Sequence, residues 1–352
     1  MAGIKKYLFL TALILSFTIY GKKLDTIPLV LDIKIQEVPK ESIQKYWLQV
    51  GSDGFNKPIT VPVLIAKGKY DGPVLGLTAA LHGNELNGIP IIQNVFKGLN
   101  LNTLKGTVIA IPGLNPVSIF NDKRRFIDDE DLNRLFPGKK NGNRSQQIAY
   151  QINEKILKLL DFHVDMHTAS FGRINSLYAR ADMSIDTLAT MAKLQNPDII
   201  LSNKGVPSFG NSANLTMRAS ALQKGAYSIT VEYGDPQVYQ LEMINRGTQG
   251  IQNLMVWLNM VEGKVEIPRV ENVCSKSYWI YTNQGGLLDV KVGIKDKINK
   301  GQLIGVLKDP FGSIIEKYFA PEDGIVIGKS TNPVNMAGGR ILHLGILQKE
   351  KQ

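Results

Sequence analysis

The chain has 352 residues, 43% of them hydrophobic and 20% charged, and a formal net charge of +10. That length suits about two domains, and that composition is globular, which excludes a disordered or fibrous chain. The basic residues are scattered and form no long run, so they read as a solvated surface and no nucleic-acid partner is expected. A single cysteine, Cys274, excludes an internal disulfide framework and a thiolate metal cluster, and is read as structural.

Residues 1 to 21 read as a targeting segment. Lys5 and Lys6 start it, Tyr7 to Tyr20 is an uncharged, mostly apolar run, and Gly21-Lys22-Lys23 ends it. The run is short for a membrane span and suits a signal-peptide core. Export to the periplasm is the expectation, with an uncleaved membrane anchor as the rival.

From about residue 27 short strands give way to alternating strands and helices. Ile59 to Ala66 and Pro73 to Ala80 are predicted strands around a Gly-Lys-Tyr-Asp-Gly turn. Gly88 to Leu99 is a predicted helix, and Gly106 to Pro112 a buried strand. Ser145 to Leu160 has Ile148, Ile152, Ile156 and Leu159 at three- and four-residue spacing, which predicts a helix. Phe162 to Thr168, Leu177 to Arg180, Ile199 to Ser202 and Tyr227 to Tyr233 are predicted strands. Helices are expected near 183–195 and 214–224, and Tyr239 to Met260 closes the region as a helix. Such alternation implies crossover connections and a largely parallel sheet, with ligands beyond the carboxyl ends of its strands. After about residue 270 the helical period disappears. Trp279 to Val292, Gly301 to Lys308, Ile314 to Ala320 and Gly324 to Lys329 are predicted strands of a small all-β unit. The expected division is therefore a catalytic α/β domain at 27–268 and a β domain at 269–352.

Chemistry concentrates at strand ends. The apolar run Pro73 to Ala80 stops in Leu81-His82-Gly83-Asn84-Glu85. A His and a Glu three residues apart in a turn can aim at one point, and both are ligand types of a catalytic zinc ion. Such pairs also occur in loops by accident, so a third ligand is required. His163, Asp165 and His167 share one face of a strand, and His167 lies at its end, where that ligand should be. His163, deeper in the strand, is read as a core or outer-shell residue. Asp165 has two readings: it orients a ligand imidazole or the zinc water, or it is an ordinary buried aspartate. His343, the fourth histidine, reads as a strand residue of the β unit. Glu232, near the end of the apolar strand Ala226 to Tyr233, is either a base facing a metal or an exposed strand-end residue. Asn115-Pro116 and the loop Arg124 to Gly138 hold three Arg, an Asn and Phe-Pro-Gly. That loop is either a charged surface loop or a source of guanidinium groups, one for a substrate carboxylate and one for a developing oxyanion.

In combination these segments resemble the succinylglutamate desuccinylase/aspartoacylase family, relatives of the zinc carboxypeptidases. HGNE, NP…R…DLNR-FPG, D-x-H-T and T-V-E-x-G occur in the family's order, between about residues 55 and 345. The resemblance implies a mostly parallel or mixed sheet flanked by helices, with a small C-terminal barrel-like β domain. It implies one zinc ion per chain on His82, Glu85 and His167, with Glu232 as general base. Arg125, preferred over its neighbour Arg124, would polarise the scissile carbonyl, and Asn133 and Arg134 would bind the substrate's carboxylate. The implied activity is deacylation of an N-acyl amino acid, a small-molecule partner. A carboxypeptidase or murein-peptide amidase acting on a short peptide is the alternative, and a non-catalytic binding protein a further one.

The C-terminal unit resembles a biotinyl/lipoyl domain through Val292 to Gly301 and Ala320-Pro321-Glu322-Asp323-Gly324. Its hairpin tip reads Lys308-Asp309-Pro310-Phe311-Gly312, without the usual surroundings of a modifiable lysine. It is therefore read as a shaping lid or partner surface and not a swinging arm.

Overall fold

The computed structural model describes residues 26–205 and 214–348, so the expected targeting segment at 1–21 lies outside the described residues. Among the described residues no helix is long and apolar enough to cross a membrane.

Strands β1 (Leu29–Val30), β2 (Ser42–Ser52) and β3 (Pro58–Lys67) open the chain. Then come β4 (Tyr70–Ala79), α1 (Gly88–Lys97), β5 (Lys105–Ile111), α2 (Pro116–Phe120) and α3 (Arg144–Lys155). They are followed by β6 (Phe162–His167), β7 (Arg173–Asn175), β8 (Leu177–Ala181), α4 (Asp186–Leu194) and β9 (Ile199–Ser202). α5 (Met217–Gln223), β10 (Tyr227–Tyr233) and α6 (Leu241–Trp257) complete the α/β part. After it stand β11 (Val273–Tyr281), β12 (Gly286–Val290), β13 (Lys297–Ile298) and β14 (Leu303–Lys308). The last are β15 (Ile314–Phe319), β16 (Gly324–Ser330), β17 (Val334–Asn335) and β18 (Arg340–Leu347).

The main sheet runs β1-β2-β3-β5-β4-β6-β10-β8-β9-β11-β18-β16-β13, with β7 also paired to β16. Its centre is parallel: β5, β4, β6 and β10 all run the same way, while β3 and β8 run against them. The expected mixed sheet flanked by helices is therefore present. Residue pattern explains it. From Leu75 to Ala79 every residue of β4 is buried, which is how a strand covered on both faces reads. One face is covered by α1, α4 and α6, whose Ile91, Ile92, Val95, Leu188, Met191, Ile251 and Leu254 share a core with Leu75 and Leu77. The other is covered by α3 and α5, whose Ile148, Ile152, Met217 and Ala221 pack with Val61, Val63 and Ile109. Fully burying each large aliphatic side chain contributes about 1.5–3 kcal/mol.

The expected strand from Trp279 to Val292 is in fact two, β11 and β12, because the chain changes sheets there. β11 pairs with β18 as far as Tyr281, whereas β12 lies in a second sheet of order β15-β14-β12-β17. This C-terminal unit has its own core, including Leu288, Ile304, Leu307, Ile341 and Leu344. It is also stitched to the α/β part. β11 continues the sheet parallel to β9 through Val273 beside Ile200 and Cys274 beside Leu201. β7 pairs with β16 from Arg173 to Asn175. Cys274 is buried in this seam with Tyr178, Ile199, Leu201, Ile325 and Ile327.

The turn after β4 leaves no room for change. A Cβ on Gly83 would lie 2.1 Å from the Ser118 carbonyl carbon and 2.2 Å from its oxygen, both backbone atoms of α2. Gly83→Ala is expected to cost about 1–3 kcal/mol by overpacking. Thermal unfolding should show a lower Tm, and isothermal titration should show weakened divalent-cation binding, because the displaced turn carries His82 and Glu85.

Candidate active site

Three parallel strands end level, and the chemistry lies at their carboxyl ends. β4 stops at Ala79, and Ala80 then takes a left-handed φ of 57°, a conformation that costs energy for any residue with a Cβ. Asn115 holds this kink. Its backbone N–H donates to the Ala80 carbonyl (3.1 Å), its Nδ2 to the Leu81 carbonyl (3.1 Å), and its Oδ1 accepts from the Ser118 N–H (3.2 Å). His82 and Glu85 are thereby turned inward. His167 is the last residue of β6, and Glu232 on β10 is its direct partner across the ladder.

Two imidazoles and a carboxylate converge. The Nδ1 atoms of His82 and His167 lie 3.0 and 2.8 Å from Glu85 Oε2, and all three residues are buried. The three ligand atoms of this group lie within 4.8 Å of one another. Each imidazole is held from behind. His82 Nε2 donates to Asp131 Oδ1 (3.0 Å) and His167 Nε2 to Asp165 Oδ2 (2.9 Å). With those protons outward, both Nδ1 lone pairs face a carboxylate oxygen, an arrangement that calls for positive charge between them. His82 Nδ1 is buried with no hydrogen-bond partner. The residues therefore fit a divalent cation on two nitrogens and one carboxylate. Burial alone would raise the Glu85 carboxyl, but the His82 and His167 imidazoles beside it hold it well below the usual range.

Behind this group, Ser228 Oγ contacts His163 Nδ1 (2.8 Å), His163 Nε2 contacts Thr78 Oγ1 (2.9 Å), and Thr78 Oγ1 donates to Asp165 Oδ1 (3.0 Å). Since Thr78 gives its proton to Asp165, His163 must be the donor to Thr78 and accept from Ser228, a neutral tautomer. Burial pushes the His163 imidazole down to about 4. His163 is thus a buried support and Asp165 an orienting carboxylate.

The loop from 121 to 138 brings the next groups, and it sets its two neighbouring arginines apart. Arg124, not Arg125, reaches the centre: it donates to Glu85 Oε1 (2.6 Å) and Asp131 Oδ2 (3.1 Å). Arg125 donates to the Asp129 carbonyl (2.9 Å) at the rim, with 54% of its side chain exposed against 27% for Arg124. The reason is the course of the loop. Phe126 is buried in the core and Ser118 Oγ holds the Arg125 carbonyl, so the Arg125 side chain is carried outward. Asn133 and Arg134 line the same cavity. Asn133 Oδ1 accepts from the Met217 N–H at the start of α5 (2.8 Å), and among the described residues its Nδ2 has no hydrogen-bond partner.

Glu232 accepts from the Tyr178 hydroxyl (3.2 Å) and from Asn175 Nδ2 (3.4 Å). Arg180 in turn donates to the Tyr178 oxygen (2.8 Å). Burial and the Glu85 carboxylate raise the Glu232 carboxyl above its ordinary value, against the pull of His167, Arg180 and Arg124. The surrounding cavity has a volume of about 640 Å³. Its walls include Arg173, Arg180 and Arg218 from the α/β part, and Trp279, Arg340 and His343 from the C-terminal unit. Apart from His343 none of these stood out in the sequence, because they come from strands and a helix far apart in the chain that only the tertiary fold brings together. His343 is a strand residue, as expected, and also a cavity wall, stacked on Trp279 at 5.2 Å. Burial, with Arg180 and Arg173 nearby, pushes its imidazole down to about 3 and keeps it neutral.

The succinylglutamate desuccinylase/aspartoacylase catalytic domain family matches residues 71–258. The chain is 24% identical over 280 residues to the N-alpha-acetyl-L-2,4-diaminobutyric acid deacetylase of Halomonas elongata, covering 77% of this chain and 81% of that protein. It is 28% identical over 206 residues to the succinylglutamate desuccinylase of Pseudomonas aeruginosa, covering 51% of this chain and 58% of that protein. Two solved structures share the fold. The product-bound ectoine utilization protein of Ruegeria pomeroyi has a TM-score of 0.78 at 18% identity, over 88% of this chain and 98% of that one. A succinylglutamate desuccinylase/aspartoacylase of Rhodobacter sphaeroides has a TM-score of 0.77 at 22% identity, over 91% and 100%.

The carboxylate behind His167 gives a direct test. Asp165→Asn should weaken divalent-cation affinity about 10- to 100-fold in a chelator competition, since outer hydrogen bonds to a ligand imidazole carry that much. An unchanged affinity would mean that Asp165 does not orient the ligand.

Proposed function

Because the chain belongs to the succinylglutamate desuccinylase/aspartoacylase family, we propose that it is a zinc-dependent hydrolase cleaving the amide bond of an N-acylated amino acid. The observation that carries this reading is the convergence of His82, Glu85 and His167 beside Glu232, in a cavity that also presents Arg124, Asn133 and Arg134. The names of the two curated relatives, a deacetylase and a desuccinylase, support it.

His82, Glu85 and His167 would hold the ion, which supplies a Lewis acid and lowers the pKa of bound water toward ~7. The remaining work belongs to the chain's own groups. Glu232 takes the proton of the attacking water and passes it to the leaving amine. Its raised carboxyl strengthens it as a base, and Tyr178 and Asn175 fix its orientation. Arg124 donates to the developing oxyanion, a role that needs a donor already in place. Arg134, with no carboxylate within salt-bridge distance among the described residues, takes the substrate's carboxylate together with Asn133 Nδ2. That contact sets the register of the scissile bond.

Residues 1 to 21 add a proposal of export. Cell fractionation with a C-terminal tag should then place the protein in the periplasm or at the membrane; recovery in the cytosol alone would remove it.

The central test pairs metal analysis with assays on N-acyl amino acids and short peptides. About one zinc per chain is expected, with hydrolysis of N-acyl amino acids ahead of peptides. Glu232→Gln should retain the metal and lose activity, and Arg124→Gln should lower kcat by about 100- to 1,000-fold. Peptide cleavage alone would favour the carboxypeptidase or murein-peptide amidase reading. Metal bound without turnover of any substrate would favour a binding protein.

A further inference from the structure

A large apolar side chain facing solvent is ordinary when it stands alone and informative when several adjoin. Several adjoin around β1. Leu29, half exposed, pairs with Trp47 on β2, and β1 forms the edge of the main sheet. A cleft lies on each flank of that edge. On the α3 side a cleft of about 1080 Å³ is rimmed by Leu31, Phe120 and Ile127, which are 61%, 86% and 63% exposed. The turn from β2 to β3 beside it carries Phe55, 89% exposed. On the α1 side a cleft of about 440 Å³ is lined by Ile27, Ile43 and Trp47, each more than a third exposed. Leaving apolar surface in water forgoes about 25 cal/mol per Å², and no described element covers this face.

The charge around the clefts favours one kind of partner. Lys45, Lys97, Arg144 and Lys155 line them, against Asp32 and Asp53. Asp53 is already engaged, because its Oδ1 accepts the Phe55 and Lys57 N–H groups of its own turn, each at 2.9 Å. Apolar side chains that stand out among basic ones match the boundary between the acyl chains and the anionic headgroups of a lipid surface.

The place of this face along the chain selects a membrane over a protein partner. The uncharged run Tyr7 to Tyr20 ends seven residues before Ile27, with Lys22 and Lys23 between them. Seven residues reach at most about 25 Å. Whenever that run enters a bilayer, the β1 edge is held within that distance of the surface, and a tethered contact gains from its high effective concentration.

We propose that the β1 edge and its two flanking clefts form a lipid-docking face, which seats the catalytic part on an anionic membrane surface through Leu29, Leu31, Phe55, Phe120 and Ile127. The proposal does not depend on the reaction catalysed, since none of these five residues lines the catalytic cavity.

The test exploits Cys274, which is buried, so that a cysteine introduced at the surface is the one that takes a thiol-reactive label. The full chain would carry an environment-sensitive fluorophore at Leu29→Cys, Phe55→Cys or Phe120→Cys. Phe311→Cys is the reference, because Phe311 is 92% exposed on the C-terminal unit. Each labelled chain is mixed with vesicles of phosphatidylglycerol and phosphatidylethanolamine. At least two of the three labels on the face should shift to the blue and brighten by about twofold, with no change at residue 311. Replacing phosphatidylglycerol by phosphatidylcholine should raise the lipid needed for half of that change about tenfold. A change at fewer than two of the three positions overturns the face, whether or not the vesicles carry the protein down on sedimentation. An equal change at residue 311 overturns it as unspecific adsorption, and an equal response to both lipids overturns the anionic surface. A blue shift that grows with protein concentration in the absence of lipid also overturns it, by making the edge a contact between two copies.

Discussion

Three carboxylates, those of Glu85, Asp131 and Asp165, meet two imidazoles, and all of them but Asp131 are almost closed to water. Unmatched charge in such a place is costly, and the matching has to be geometric as well as arithmetic. Much of the fold serves that requirement. β4 and β6 must end level so that His82 and His167 face Glu85. Ala80 must take its strained conformation so that the chain turns at that height, and Asn115 must hold it there. The lower layer, from Ser228 through His163 and Thr78 to Asp165, has its protons arranged by the same requirement. Each of these side chains has one direction in which it can donate, and the chain of donors ends on the carboxylate that fixes His167.

The upper half of the site follows a different rule. Beyond the ligand group the cavity carries more guanidinium than carboxylate, so its electrostatics favour anions approaching Glu232. Glu232 feels both fields. The Glu85 carboxylate and burial raise it, while Arg180 and Arg124 limit that rise. Its two hydrogen-bond partners, Tyr178 and Asn175, leave it little freedom to swing toward the arginines.

How much of this was legible in the sequence depends on spacing. The convergence of His82, Glu85, His167 and Glu232 was readable because each lies at the end of an apolar strand or in the turn that follows it, and strand ends on one side of a parallel sheet are brought together by topology. Asn133 and Arg134 were readable through a contiguous motif. The choice between Arg124 and Arg125 was not, since it turns on where the neighbouring Phe126 is buried, a fact of tertiary packing. Arg173, Arg180, Trp279 and Arg340 were silent for a related reason. They stand on β7, β8, β11 and β18, and only the order of strands in the sheet reveals that they are neighbours. Their local sequences carry no chemical pattern. The break between β11 and β12 was hidden likewise, because a chain that changes sheets can keep strand-like composition throughout.

The pairing of β9 with β11 has a consequence for the modularity of this chain. In a sheet that ended at β9, Ile199 to Ser202 would present unpaired N–H and C=O groups to solvent at the margin of a flat, apolar strand, and such margins recruit other chains. Here the margin is occupied by β11, and Cys274 and Leu201 fill the space behind it. The catalytic part is thus not a self-sufficient unit to which a lid was appended. Removing the C-terminal strands would convert an interior strand into an adhesive edge, so the α/β part on its own would be prone to self-association.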